Sequence, residues 1–143
     1  MRDNSGMLPE GDGRGTERPI LVVEDSENSA AMLEIALSGI PGVTVMLARS
    51  AQEALRILKE TGTAFEAMVT DLNMPLMDGF ELIRRVRADC RLAGLPVVVV
   101  SADTDPGTPE RIRQMGVDAY FPKPFSPAAV RRKLEQLLDG KSG

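Results

Sequence analysis

The sequence predicts an α/β domain: a doubly wound, five-stranded parallel sheet with helices on both faces. Three observations carry that expectation. From Pro19 onward, five short apolar runs alternate with five longer amphipathic stretches, the order of a strand–helix repeat. Several runs are apolar at successive rather than alternate positions, as strands covered on both sides are. Finally, Glu24, Asp25, Asp71, Ser101 and Lys123 all stand where an apolar run ends, and ligands of such sheets bind outside the carboxyl ends of the strands.

Residues 1–18 are rich in glycine and charge, and are expected to form a disordered tail ahead of a domain at 19–139, with 140–143 as a short C-terminal tail. Ile20 to Val23 is the first strand run and ends in Glu24-Asp25. Ser26 to Leu37 supplies the first helix, with Met32, Leu33 and Ala36 as its core face. Val43 to Ala48 is the second run. Ser50-Ala51-Gln52-Glu53 is a capping box, opening a helix with Ala54, Leu55 and Leu58 on one face. Phe65 to Thr70 makes the third run and stops at Asp71. Asp78 precedes a helix whose Phe80, Leu82, Ile83 and Val86 point inward while Glu81, Arg84 and Arg85 point out. The fourth run, Pro96 to Val100, holds four consecutive valines before Ser101. Thr108 is placed as a helix cap, with Pro109 at the first helical position and Gly116 closing the helix. Ala119 to Pro122 is a short fifth run before Lys123. Val130, Leu134, Leu137 and Leu138 mark the last helix.

Composition removes most alternatives. The 143 residues are 43% hydrophobic but only 3% aromatic, so aliphatic side chains must build a single core. No apolar run approaches the ~20 residues that span a bilayer. Residues 1–18 lack the apolar stretch of a signal peptide, and the single cysteine, Cys90, rules out an internal disulfide; a cytoplasmic location is expected. A net charge of −4 argues against direct nucleic-acid binding, which needs a basic footprint. Arg84, Arg85, Arg87 and Arg91, and Arg131, Arg132 and Lys133, are expected late in or just past helices, as solvated faces favoured by the helix dipole. The chain has no histidine, which excludes Ser-His-Asp catalysis and His-ligated zinc. Carboxylates, hydroxyls, lysine and a hard metal remain.

Three carboxylates on one rim would repel one another unless a cation joined them. An all-oxygen set points to Mg²⁺, with Mn²⁺ as a substitute. Such a site can take a phosphoryl group. Lys123 offers a second positive charge on a flexible stem, and Ser101 a hydroxyl donor. Asp71 is the natural nucleophile, because it ends a central run while Glu24 and Asp25 sit together on a neighbour.

These residues carry a resemblance. Asp71-Leu72-Asn73-Met74-Pro75-Leu76-Met77-Asp78-Gly79 resembles the phosphoacceptor signature of the response-regulator receiver family. Glu24-Asp25, Ser101-Ala102 and Lys123-Pro124-Phe125 match the other signature blocks in order, so the likeness covers roughly Pro19 to Asp139. It implies the flavodoxin-like receiver fold and a phosphoacceptor switch of two-component or phosphorelay signalling. Asp71 would be phosphorylated from the phosphohistidine of a sensor histidine kinase or histidine phosphotransfer protein. Asp25 would ligate Mg²⁺ directly, Glu24 at least through water, and Asn73 through its backbone carbonyl. Lys123 and Ser101 would bind phosphoryl oxygens, Lys123-Pro124 would be cis, and Tyr120 would rotate with Ser101 on activation. Output would pass through protein binding at the fourth helix, fifth strand and fifth helix, including Arg111, Gln114, Tyr120 and Arg131. Glu24 and Ser101 replace the family's commoner aspartate and threonine. Asp103, two residues past Ser101, resembles a position that tunes phosphoryl lifetime. The implied activity is the chain's own phosphotransfer and dephosphorylation, not turnover of a separate substrate.

Two other motifs fail. Gly140-Lys141-Ser142 looks like the end of a phosphate-binding loop, but Glu135 stands where the leading glycine is required. The stretch from Gly11 to Gly15 has Thr16 where a dinucleotide fingerprint needs glycine, and no strand precedes it.

Overall fold

The computed structural model describes residues 17–142; of the tail expected at 1–18, residues 1–16 lie outside them and Arg18 opens the first strand. Five strands alternate with five helices: β1 Arg18–Val23, α1 Glu27–Ser38, β2 Val43–Ala48, α2 Ala51–Glu60, β3 Ala67–Thr70, α3 Gly79–Ala88, β4 Val97–Ser101, α4 Thr108–Gln114, β5 Ala119–Pro122 and α5 Pro127–Ser142. All strand pairs are parallel, in the order β2-β1-β3-β4-β5. From β1 the chain crosses to β2 on one side and then to β3 on the other. The β1/β3 boundary is therefore the topological switch point, where the crossovers part and leave a crevice.

The pleat sends alternate residues to two cores. Leu21, Val23, Met68, Val97 and Val99 face α2, α3 and α4, meeting Leu55, Leu82, Ile83 and Ile112. Ile20, Val22, Val69, Val98 and Val100 face α1 and α5, meeting Leu33, Leu37, Val130, Leu134 and Leu138. The inner strands β1, β3 and β4 therefore read as unbroken apolar runs, while edge strand β2 is buried only at Ala48.

The helix ends follow local chemistry. Ser26 caps α1, Ser50 caps α2 and Asp78 caps α3, each side chain accepting from the amide three residues on. At α2 the Glu53 carboxylate returns to the Arg49 amide (2.7 Å) rather than to the cap's own. Thr108 is not a cap: it is buried inside α4, and Gly107 holds the cap position without a side-chain bond. Pro109 fixes the first turn, and Gly116 ends the element at φ 85°. Three further expectations are corrected. Met32 stands on the outer face of α1 beside exposed Ile35, and Ala30, Leu33, Ala36 and Leu37 form the buried stripe. The α5 helix continues to Ser142 through residues expected as a tail, because nothing in the sequence there breaks a helix outright. Arg131 to Lys133 lie near the start of α5, not late in a helix.

Arg84 and Arg85 are exposed and share Glu81, whose carboxyl they hold down at about 2. Arg87 behaves differently from the expected solvated face. Its guanidinium donates to the carbonyls of Ala93 (3.1 Å), Leu95 (2.8 Å) and Gly116 (2.7 Å), tying α3 to the segments that lead into β4 and β5. Asp118 completes this knot by accepting from the Val97 amide at 2.9 Å.

Replacing Arg87 by alanine should therefore destabilise the fold by about 2–3 kcal/mol in urea unfolding, since three carbonyls lose a charged donor. Arg84→Ala, which removes an exposed pair, should change the midpoint little. Equal effects of the two substitutions would contradict the assignment.

Candidate functional site

Parallel strands deliver their last side chains to one rim, and four sequence-selected residues meet there. Glu24 and Asp25 follow β1, Asp71 follows β3, and Lys123 follows β5. The Lys123 Nζ lies 2.9 Å from Glu24 Oε1 and 3.0 Å from Asp71 Oδ2. Glu24 is fully buried and Asp71 is 5% exposed, whereas Asp25 faces solvent. One carboxylate oxygen from each of Glu24, Asp25 and Asp71 lies within 4.8 Å of the others. This donor set could hold a hard divalent cation.

Backbone bonds orient both buried carboxylates. Asp71 Oδ1 accepts from the amides of Leu72 (2.6 Å) and Asn73 (3.3 Å), leaving Oδ2 to Lys123. Glu24 Oε2 accepts from the Ser26 amide at 3.1 Å, so the residue that caps α1 also anchors Glu24. Desolvation raises the Glu24 carboxyl above its usual range despite the bond from Lys123. Burial pulls the Lys123 ammonium down, but hydrogen bonds to Glu24 and Asp71 outweigh it and raise the group overall. Lysine therefore stays charged between two acids.

The Ser101 and Tyr120 side chains stand beside this centre and bond to Asp103 rather than to its carboxylates. Ser101 is fully buried at the end of β4, and its Oγ accepts from the Asp103 amide at 3.0 Å. Its carbonyl accepts from the Lys123 amide at 2.8 Å, fixing the two strand ends together. Tyr120 is half-buried and donates its hydroxyl to the Asp103 carbonyl at 3.3 Å. Burial, with the charges of Asp103 and Asp71, raises its phenol. The Lys123-Pro124 bond is cis, as the resemblance implied.

Two members of the expected output face have neighbours within the domain. Arg111 leaves α4 toward α3, its guanidinium 3.8 Å above the Phe80 ring. Arg131 lies beside Gly39, the residue that ends α1, where a cation meets the negative helix end.

Two residues support Asp71 in ways that the sequence pattern alone does not assign. Buried Thr70 donates its hydroxyl to the Asp71 carbonyl at 2.8 Å. Gly79 donates to the Leu72 carbonyl at 2.9 Å, and a Cβ on it would stand 2.3 Å from the Asp71 carbonyl oxygen. A glycine in the first turn of a helix, where it is a poor helix former, was the available signal for that close approach.

Gly79→Ala should accordingly destabilise by about 1–3 kcal/mol and shift the Asp71 amide resonance, because backbone must move. Gly94→Ala, which meets nothing within 4 Å, should do neither. A Gly79→Ala protein as stable as wild type would refute the packing described.

The family model of the response regulator receiver domain matches residues 20–135. A chemotaxis protein CheY homolog of Campylobacter jejuni is 33% identical over 126 residues, covering 87% of this chain and 95% of its own. Chemotaxis protein CheY1 of Helicobacter pylori is 34% identical over 121 residues, covering 83% and 95%. Among solved structures, a response regulator receiver protein from Pseudomonas putida superposes with a TM-score of 0.76 at 30% identity, over 84% of this chain and 97% of its own. With the sheet order, the acidic rim and the lysine after β5 already in place, the chain belongs to the response regulator receiver domain family and is a CheY-like receiver of two-component signalling.

Proposed function

We propose that Asp71 is the phosphoacceptor of this receiver, taking its phosphoryl group from a phosphohistidine of a sensor histidine kinase or histidine phosphotransfer protein. The observation that carries the reading is the bonding of Asp71: a buried carboxylate with one oxygen fixed by two amides and the other on a lysine. In the transfer, an Asp71 oxygen forms a bond to phosphorus while the donor's N–P bond breaks, and the imidazole keeps the electron pair. None of the 143 residues can be that donor, since no histidine is among them.

The donor set fits Mg²⁺, or Mn²⁺ in its place: all ligands are oxygens, and three carboxylates against one ammonium leave two negative charges. Asp25 and Asp71 would hold it directly, Glu24 at least through water, and Asn73 through its backbone carbonyl. When bound, Mg²⁺ neutralises the transferred group's charge and orients it. Lys123 would then turn from Glu24 and Asp71 toward a phosphoryl oxygen. Ser101, now only an acceptor for the Asp103 amide, would donate its hydroxyl to another. Tyr120 would follow, because its own hydroxyl bond ends on the same Asp103. Phosphorylation would shift a population rather than build a new fold. The output face would be α4, β5 and α5, where Tyr120 lines a hollow of ≈ 250 Å³ together with Pro109, Ile112, Arg113 and Val117.

Incubation with acetyl phosphate and Mg²⁺ should add one phosphoryl group to the intact mass of the wild type and none to Asp71→Asn. Chelating the metal should abolish labelling. An adduct on the Asp71→Asn protein would overturn the assignment; no adduct from either acetyl phosphate or a kinase would leave an unphosphorylated binding module. Rapid turnover of foreign phosphoesters would instead indicate a phosphatase.

Asp103 is half-buried beside this rim, its Oδ1 accepting from the Asp105 amide at 2.7 Å. Its charge should repel small anionic donors, so Asp103→Ala should be labelled several-fold faster by acetyl phosphate. An unchanged rate would remove Asp103 from the account.

A further inference from the structure

A cleft of ≈ 490 Å³ opens between the β3–α3 loop, α3 and α4, and among the described residues its lining includes none of Glu24, Asp25, Asp71 and Lys123 and no residue of β5 or α5. Its lip is apolar and its walls are charged. Leu76 is 96% exposed and Met77 is partly buried beside it. The Met77 amide bonds to the Pro75 carbonyl at 2.9 Å across Leu76, whose φ is 72°. That is a γ-turn of the rarer hand, and leucine gains nothing from it inside the free chain. A large apolar side chain is thus held in solvent by a backbone conformation that glycine or asparagine adopts more easily.

Three guanidiniums line the walls: Arg84, Arg85 and Arg111. Two carboxylates oppose them. Asp78 is occupied in capping the Glu81 amide, and Glu81 is shared between Arg84 and Arg85. Arg111 has no carboxylate partner among the described residues and rests on the Phe80 ring. The cleft is therefore net cationic in a chain of net charge −4. An arginine stacked on an aromatic ring keeps its N–H edges free for a carboxylate.

We propose that this cleft binds an acidic segment of a partner protein that also carries apolar side chains. Those side chains seat against Leu76 and Met77, and the carboxylates meet Arg111 and the outward edges of Arg84 and Arg85. Charge complementarity selects this occupant: a basic segment would face three guanidiniums, and a purely anionic ligand would leave Leu76 uncovered.

The test uses a short fluorescent peptide in which leucine and phenylalanine are flanked by aspartates and glutamates. Its controls are the same peptide with lysines in place of the acids, and inorganic pyrophosphate as competitor. The acidic peptide should bind with an affinity that falls as salt rises, and should move the amide resonances of Leu76, Phe80 and Arg111. Arg111→Glu should weaken binding at least several-fold. Leu76→Asn, which suits the left-handed turn and should fold as well as wild type, should weaken it too. Equal binding of the lysine peptide would overturn the proposal, as would resonance changes confined to α5 and β5. It would equally fall if pyrophosphate displaced the peptide at the peptide's own concentration, if neither substitution mattered, or if no binding were seen at millimolar peptide.

Discussion

Two carboxylates, Glu24 and Asp71, are removed from water at the switch point of the sheet, and a single ammonium from the far side of the sheet lies between them. Isolated buried carboxylates cost several kcal/mol each, and only close opposite charge with good hydrogen bonds offsets that. Lys123 provides the charge, and the amides of Ser26, Leu72 and Asn73 provide the bonds. The balance is incomplete. Glu24 is still raised by desolvation, and solvent-facing Asp25 adds a third negative group. The rim is stable enough to fold yet remains short of positive charge, which is the property that a site for a divalent cation and an incoming phosphoryl group requires.

The rest of the architecture serves that arrangement. Glu24 and Lys123 are 99 residues apart in the chain, and Asp71 and Lys123 are 52 apart. Parallel pairing of β1 with β3, β3 with β4 and β4 with β5 brings their ends to one edge. Thr70 and Gly79 then hold the turn after β3 against the Asp71 carbonyl, one by a hydrogen bond and the other by close packing. At the opposite end, Arg87 and Asp118 lock the segments entering β4 and β5.

Much of this was legible in the residues. Unbroken runs such as Val97 to Val100 identified buried parallel strands because both faces of the sheet are covered, and polar residues at the run ends identified the rim. What stayed hidden depended on three-dimensional neighbours. Met32 looked like core because helical spacing defines a stripe but not which side of its border a residue takes. Thr108 looked like a cap because threonine before proline suits one, yet the helix begins a residue earlier and buries it. Arg87 was indistinguishable from Arg84 and Arg85 in sequence; the carbonyls it satisfies belong to loops that only the fold brings near. The neighbours of Arg111 and Arg131, an aromatic ring and a helix end, were hidden for the same reason.

Three carboxylates at the rim face one ammonium, and a divalent cation would balance them. A Mg²⁺ titration of wild type and Asp25→Asn, followed by amide resonances, tests it most directly, since Asp25 is exposed and its loss leaves the buried bonds intact. Saturable shifts centred on Glu24, Asp25, Asp71 and Asn73 are expected in the wild type, with affinity reduced roughly tenfold or more in Asp25→Asn. No shifts at these residues, or undiminished affinity without Asp25, would contradict the account.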